Sequence, residues 1–132
     1  MWGWLQRWTR PGNARVGQQG EKQAARFLRQ QGYRILARNL RCRWGEIDLL
    51  ALAPDQRTIV IVEVKAGTGL HIAPQLRVSH AKQRKLSALA AQLARRHHLE
   101  RHPFRFDVIS VVQPPGSRPR IQHLVAAFQS TL

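Results

Sequence analysis

Cysteine, acidic residues and long apolar runs are all scarce in this sequence. Cys42 is the single cysteine among 132 residues, which excludes an internal disulfide framework and a cysteine-rich zinc site. No apolar run approaches the roughly 20 residues of a membrane-spanning helix, and the basic N-terminus lacks the apolar core of a secretory signal. These absences predict a cytoplasmic protein, and the length suits one domain with a sizeable core.

Acidic residues number only seven, against 22 lysines and arginines, so the formal net charge is +15. A surface this basic attracts polyanions, and nucleic acid is the simplest partner that it predicts. Eighteen of the 22 basic residues are arginine, however, and a drift of composition toward arginine would raise the charge without any function. Charge alone therefore leaves nucleic-acid binding as one of two explanations.

Hydrophobic periodicity and turn residues predict a single folding unit. We expect helices at about 14–31 and 80–99, strands at 33–38, 46–52, 58–65 and 104–112, and an edge strand at 120–124 before a short helical tail. The order helix, three strands, helix, strand predicts an α/β protein in which helices flank a mixed sheet.

A short basic leader, residues 1–12, precedes the predicted domain at 13–132. Trp4, Leu5 and Trp8 in this leader share one face of a helix. That face can pack on the body of the domain, or it can anchor the protein to a membrane surface or to a partner. The second explanation makes a partner-binding adaptor one of the functions to test.

The scarce acids concentrate in one apolar stretch, GEIDLLALAPDQRTIVIVEVK, at Gly45–Lys65. A four-residue hairpin loop at Pro54–Arg57 would place Ala53 opposite Thr58 and fix the pairing of the two strands. One face of the hairpin is then wholly apolar, with Ile47 opposite Val64, Leu49 opposite Val62 and Ala51 opposite Val60. The other face is apolar near the loop and becomes charged at its open end.

At that open end, Asp48 lies opposite Glu63 and Glu46 lies opposite Lys65. Facing residues have Cβ atoms about 4.5–5.5 Å apart, so the carboxylates of the first pair would repel one another. A divalent cation between Asp48 and Glu63 removes the repulsion, and carboxylate oxygens suit Mg²⁺ or Mn²⁺. A register slip by one residue would instead send the two acids to opposite faces, and acids at strand ends can also lie in solvent.

Six short motifs in the chain resemble those of the YraN-like family of bacterial proteins. They are GQQGE at Gly17–Glu21, GYRILARN at Gly32–Asn39, GEIDL at Gly45–Leu49, VEVK at Val62–Lys65, KQRKL at Lys82–Leu86 and RFDV at Arg105–Val108. The resemblance covers about residues 13–128. The family is placed in the PD-(D/E)xK nuclease superfamily and is related to archaeal Holliday-junction resolvases. The resemblance therefore implies a restriction-endonuclease-like fold and metal-dependent hydrolysis of phosphodiester bonds in DNA, including branched or flapped DNA.

The resemblance also implies a role for each residue of the predicted site. Asp48 and Glu63 would be catalytic metal ligands, and Lys65 would orient the attacking water or stabilise charge on the phosphoryl oxygens. Glu21, on the first helix, would contribute as its counterpart does in the resolvases. Glu46 would position Lys65 or contact the metal, unless it only forms a cross-strand ion pair. Because the resolvases act as dimers, a homodimer is implied as well.

Two further groups of polar residues have competing explanations. Lys82, Arg84 and Lys85 begin the second helix, where they would hold nucleic-acid phosphates or simply form a solvated basic face. Asp107 lies between apolar neighbours, and we interpret it as a structural acceptor for Arg105 or for the first helix rather than as a site residue.

The chain departs from the family pattern just after the second strand of the hairpin. Gly67 stands where the family usually has a basic residue, and Leu76 falls where it usually has a glutamate. Retention of Asp48, Glu63 and Lys65 favours a nuclease. The two departures favour a nucleic-acid-binding module that keeps the nuclease fold with little or no turnover.

Overall fold

The structure, a computed structural model, describes residues 2–7, 16–67 and 77–132. A five-stranded sheet carries one long helix on each face, so the predicted α/β class is confirmed. The helices are α1 (Val16–Gln30) and α2 (His80–Arg96), and the strands are β1 (Arg34–Cys42), β2 (Gly45–Leu52), β3 (Ile59–Gly67), β4 (Phe104–Val112) and β5 (Arg120–Phe128). Within the described ranges, no helix is both long and apolar enough to cross a membrane.

The strands lie side by side in chain order, β1-β2-β3-β4-β5. All neighbours are antiparallel except β3 and β4, which are parallel. A parallel pair needs a crossover connection, and α2 lies within the segment that provides it. The first turn of α2 therefore follows the end of β3, which is where the predicted Glu63 and Lys65 lie.

Two apolar layers form the core, one on each face of the sheet. In the first layer, two alanines and one leucine of α1 pack on the sheet: Ala24, Ala25 and Leu28 against Leu49, Ala51, Val60 and Val62. Because the alanine side chains are small, the helix lies close to the strands. In the second layer α2 packs with larger side chains: Leu86, Leu89, Ala90 and Leu93 against Ile47, Leu50, Leu52, Ile59 and Ile61. Because both faces of the central strands are covered, β2 and β3 are apolar almost throughout.

Local sequence explains where both helices begin or end. Gly32 follows α1 with φ at 91°, a left-handed conformation that glycine adopts without steric cost. The N–H of Tyr33 donates to the carbonyl of Leu28 at 3.0 Å, which closes the last turn. At α2, the side-chain oxygen of Ser79 accepts from the N–H of Lys82 at 3.1 Å. This cap fixes the first turn of α2 and the backbone position of Lys82.

Both edge strands extend beyond their predicted ends. β1 continues past the predicted end at residue 38 to Cys42, and β5 continues to Phe128, so the predicted helical tail is wrong. Each of these strands contains a residue in the left-handed conformation, Asn39 and Ala126, both with φ at 53°. Such residues interrupt the alternation of side chains, which hides the strand from a periodicity search.

The leader packs on the domain wherever the structure describes it. Gly3–Arg7 forms a 3-10 helix, and Leu5 in it is buried. The ring of Trp4 stacks on His97 at the end of α2, with 3.9 Å between ring centroids and 9° between ring planes. The first of the two explanations for the leader is therefore confirmed for Trp4 and Leu5, whereas Trp8 lies outside the described residues.

Candidate active site

The predicted pairing of β2 with β3 is confirmed near the hairpin loop. The N–H of Ala53 donates to the carbonyl of Thr58 at 2.9 Å, as the four-residue loop requires. Asp55 holds this loop, because its carboxylate accepts from the N–H groups of Arg57 and Thr58 at 2.8 Å. From there the register runs as predicted through four pairs: Leu52 with Ile59, Ala51 with Val60, Leu50 with Ile61 and Leu49 with Val62.

Beyond the last of these pairs, β2 and β3 separate. β2 continues to Gly45 paired with β1, and β3 continues to Gly67 paired with β4. Asp48 and Glu63 are the first residues on the two sides of this fork. The N–H of Val64, which points into the gap, donates to Oδ2 of Asp48 at 2.8 Å. A side-chain carboxylate thus takes the place of the next backbone acceptor and stands at the opening of the sheet.

The backbone of β2 also rotates at Asp48. Leu49 packs in the α1 layer and Ile47 packs in the α2 layer, although residues two apart share a face in a regular strand. The predicted placement of Ile47 opposite Val64 is therefore wrong. The rotation coincides with the left-handed Asn39 on the neighbouring strand β1. As a result, Asp48 is within electrostatic reach of groups on both helices.

The side chains of Asp48 and Glu63 lie close enough at the fork to interact with one another. Burial is the largest cause that raises the pKa of Asp48, followed by the hydrogen bond to Glu63 and its negative charge, and the result is about 7. The N–H of Val64 and the ammonium of Lys82 lower this pKa by smaller amounts. Glu63 itself is 8% exposed. The half-buried carboxyl group of Asp48 and the buried carboxyl group of Glu63 therefore lie together at the fork.

Glu21 on α1 is a third acid, within electrostatic reach of Asp48. It is 7% exposed, and its Oε2 atom is buried without a hydrogen-bond partner. Burial, and next the charge of Asp48, raise the pKa of Glu21 to about 7, while a hydrogen bond with Asn39 lowers it. Helix α1 brings Glu21 this close because Gly20 lies against β3: a Cβ there would stand 2.6 Å from that of Ala66.

Lys82 reaches the acid pair from α2. Its Nζ lies 3.6 Å from Oε2 of Glu63. Arg84 and Lys85, which were grouped with it as phosphate ligands, are exposed. The sequence did contain a signal for this contact, because a helix that follows β3 in a parallel crossover must begin beside the end of that strand.

Lys65 and Glu46 lie on different sides of the fork. Lys65 is half-buried on β3, and regular alternation places it on the same face as Glu63. Glu46, more than half exposed, forms an ion pair with Arg41 of β1, with 3.1 Å between Oε2 and Nε. The predicted pairing of Glu46 with Lys65 is absent from the described β2–β3 ladder, because the strands have already separated. Glu46 still contributes to the site through its charge, which raises the pKa of Glu21.

The donor set at the fork fits a hard divalent cation. Carboxylate oxygens with raised proton affinity, one of them buried and unpartnered, accept a cation in place of protons. Asp48 and Glu63 are the two acids predicted as metal ligands, and their side chains interact. In the part of the chain that the structure describes, no three His, Cys, Asp or Glu side chains form a ready-made metal cluster. A cation bound by Asp48 and Glu63 alone would need waters and a substrate phosphate to complete its shell, as Mg²⁺ prefers.

Asp107 has the structural role that was predicted for it. It is 1% exposed and accepts two hydrogen bonds from Arg105, at 2.9 and 2.8 Å. Nε2 of His123 lies 2.8 Å from its Oδ2, and the N–H of Ala126 donates to its Oδ1 at 3.0 Å. Burial opposes ionisation, but these hydrogen bonds hold the pKa of Asp107 below its ordinary value. The partners show that Asp107 joins β4 to β5 rather than α1 to the sheet.

The fold and the site together define an α/β protein with an acidic site where two antiparallel strands separate. The model of uncharacterised protein family UPF0102 matches residues 20–111, a span that includes every acid of the site. UPF0102 proteins from Pelobacter propionicus and Symbiobacterium thermophilum are 46% and 45% identical, over 92% and 88% of this chain and 87% and 98% of their own lengths. A UPF0102 protein from Nocardia farcinica is 44% identical over 86% of this chain and 88% of its own. The chain belongs to the UPF0102 family, which confirms the YraN-like resemblance.

Proposed function

We propose that the protein is a metal-dependent endonuclease that hydrolyses phosphodiester bonds in DNA, including branched or flapped DNA. In this proposal the sheet and its helices are a restriction-endonuclease-like core, and the protein works in the cytoplasm. The observation that carries the proposal is the contact of Asp48 with Glu63 at the fork of β2 and β3. A half-buried aspartate beside a buried glutamate is a poor way to stabilise a sheet, and a binding site for a cation would explain why the two acids are there.

In this proposal each residue at the fork has a different role in hydrolysis. Asp48 and Glu63 would hold Mg²⁺ or Mn²⁺, which supplies positive charge to the phosphate and acidifies a bound water. Lys65 would orient that water or stabilise the phosphoryl oxygens as a compact point charge. Glu21, whose pKa is about 7, is suited to exchange a proton near neutral pH.

Cleavage of labelled DNA tests the proposal directly. Linear, flapped and four-way substrates are incubated with Mg²⁺, Mn²⁺ or a chelator. We expect metal-dependent cutting that falls by about 100-fold or more in Asp48→Asn, Glu63→Gln and Lys65→Ala. Glu100→Gln is the matched control, because it removes an exposed acid that lies beyond the end of α2, and we expect a change of about threefold or less. Cutting that survives in Asp48→Asn would contradict the proposal.

A second function, nucleic-acid binding without turnover, is favoured by two observations. Gly67 at the end of β3 cannot supply the basic group that family members usually carry there. The described residues also contain no preformed cluster of three metal ligands. Tight binding of the same DNA substrates with no metal-dependent product would select this function.

Sedimentation of the protein alone and with four-way DNA tests the homodimer that the resolvase resemblance implies.

A further inference from the structure

We propose that Lys82 is a counter-ion that a divalent cation displaces: it neutralises Glu63 in the metal-free protein, and after metal binding it moves to a nucleic-acid phosphate. The inference rests on the proposed function, because it assumes that a cation enters between Asp48 and Glu63. It separates Lys82 from Arg84 and Lys85, with which the sequence groups it. Metal loading and substrate binding would then be coupled through one side chain.

The geometry places Lys82 where a cation would otherwise be needed. Its Nζ lies 3.6 Å from Oε2 of Glu63, whose side chain is 9% exposed, whereas the side chain of Lys82 is 35% exposed. The ammonium therefore stands at the solvent side of a buried carboxylate. It also acts on Asp48, whose pKa it lowers. Lys82 is thus the resident positive charge of the acid pair.

Charge explains why the ammonium and a metal ion would not share this place. One ammonium compensates one carboxylate, and Lys82 lies against Glu63, so Asp48 is left without a close counter-ion of its own. A divalent cation bound by Asp48 and Glu63 neutralises both, which removes the attraction that holds Lys82 and adds repulsion at close range. Because the capped first turn of α2 fixes the backbone of Lys82, only its flexible side chain can respond.

The displaced side chain of Lys82 would move toward the bound nucleic acid. The side chain of Lys82 is 35% exposed, so it can leave Glu63 toward solvent, from which a nucleic acid also approaches. A released ammonium is a point charge suited to phosphate oxygens. Lys82 should therefore contribute to nucleic-acid binding when metal is present and little when it is absent.

Metal affinity provides the first test, and it does not depend on activity. Mn²⁺ binding to the full chain is measured by titration calorimetry and by the loss of free Mn²⁺ signal in electron paramagnetic resonance. We expect Lys82→Gln to tighten Mn²⁺ binding by about threefold or more, because the competing charge is gone. Lys85→Gln removes the same charge from an exposed position on the same helix, and we expect a change of about 1.5-fold or less.

Nucleic-acid affinity provides the second test. Binding of four-way DNA is measured once in chelator and once with Ca²⁺. Ca²⁺ is chosen so that binding can be measured separately from cutting. We expect Lys82→Gln to weaken binding by about fivefold or more in Ca²⁺ and by about twofold or less in chelator. Lys85→Gln should weaken binding by the same factor in both. Equal behaviour of the two variants, or weaker Mn²⁺ binding in Lys82→Gln, would overturn the inference.

The two proposals fail in distinguishable ways. If the wild-type protein binds no Mn²⁺, both the nuclease proposal and the role of Lys82 are wrong. If the wild-type protein binds Mn²⁺ and cuts DNA while Lys82→Gln matches Lys85→Gln, only the inference about Lys82 is wrong. Circular dichroism spectra of both variants confirm that each has folded.

Discussion

Asp48 shows how a single residue can oppose the stability of the fold that positions it. It accepts a hydrogen bond from the N–H of Val64, which helps to hold the fork. Loss of solvent, and next the adjacent Glu63, disfavour the ionised form of Asp48 and raise its pKa from 3.8 to about 7. An unfolded chain loses the proton of this aspartate near pH 4, whereas the folded chain keeps it until about pH 7. The contribution of Asp48 to stability must therefore fall as the pH rises across that window.

We expect Asp48→Asn to stabilise the metal-free protein at pH 8. The amide keeps the shape and the acceptor oxygen but cannot ionise, so the free energy of unfolding should rise by about 1–2 kcal/mol at pH 8. At pH 4 the two proteins should unfold alike, because the wild-type carboxyl group is then protonated when folded. Urea denaturation in a chelator at both pH values measures the difference, with Glu46→Gln as the exposed control. A loss of stability at pH 8 would show that the acid pair is structural.

The residues of this site could be predicted from the sequence, but the geometry that joins them could not. Pro54, Asp55 and the apolar alternation fixed the register, which is why Asp48 and Glu63 could be placed together. Alternation continues unbroken through Ile47 and Leu49, so nothing in the pattern reveals that the strand rotates between them. The rotation and the opening of the fork depend on contacts between strands, which a one-dimensional pattern does not contain.

At the scale of elements, the contact of α1 with β3 determines where Glu21 lies. Gly20 is the point of closest approach, because a Cβ on it would meet the Cβ of Ala66 at 2.6 Å. We expect Gly20→Ala to reduce the free energy of unfolding by about 1–3 kcal/mol through overpacking, despite the better helix propensity of alanine. The same shift of α1 should move Glu21 and weaken Mn²⁺ binding.

The matched control for Gly20→Ala lies on the strand. Ala66→Gly removes the atom that the new methyl group would strike, so the double variant Gly20→Ala/Ala66→Gly should recover part of the stability lost by Gly20→Ala. Urea denaturation of the two single variants and the double variant gives the coupling energy. A coupling energy near zero would mean that the two elements do not pack as closely here as the distance indicates.

The attachment of β5 to β4 depends on one buried acid. Asp107 accepts from Arg105 on its own strand and from Ala126 on β5, and it contacts His123 on β5. We expect Asp107→Asn to cost about 3–5 kcal/mol, because it leaves the Arg105 guanidinium without a counter-charge. Because the folded pKa of Asp107 is lowered, the wild-type protein should lose this stabilisation as the pH falls through that pKa.

Thermal and urea unfolding check the effect of Asp107→Asn. Amide hydrogen exchange of β5 shows whether that strand detaches before the rest of the sheet opens. Asp55→Asn, in the exposed hairpin loop, is the comparison, and we expect a clearly smaller cost because solvent can replace the hydrogen bonds that are lost. Equal costs for the two variants would contradict the role assigned to Asp107.

At the scale of the whole molecule, the distribution of the seven acids is informative. Four of them, Glu21, Glu46, Asp48 and Glu63, lie at or beside the fork. Asp107 is buried with Arg105, and Asp55 holds the hairpin loop. Glu100 is exposed. A chain of net charge +15 thus concentrates negative charge at a single place. The surface attracts a polyanion, whereas the site repels a phosphate until a cation is bound there.

Salt dependence separates the contribution of the surface from that of the site. We expect the affinity for DNA to fall steeply with salt, with a slope of log K against log salt of roughly −0.9 for each phosphate neutralised. The double variant Arg84→Gln/Lys85→Gln should reduce that slope by up to about 2, because both side chains are exposed on α2. Asp48→Asn should leave the slope unchanged and strengthen binding in chelator, since it removes the charge that repels a phosphate. Fluorescence anisotropy between about 50 and 300 mM salt measures both quantities. A flat salt dependence would instead mean that the excess of arginine reflects composition, and that the basic surface does not bind nucleic acid.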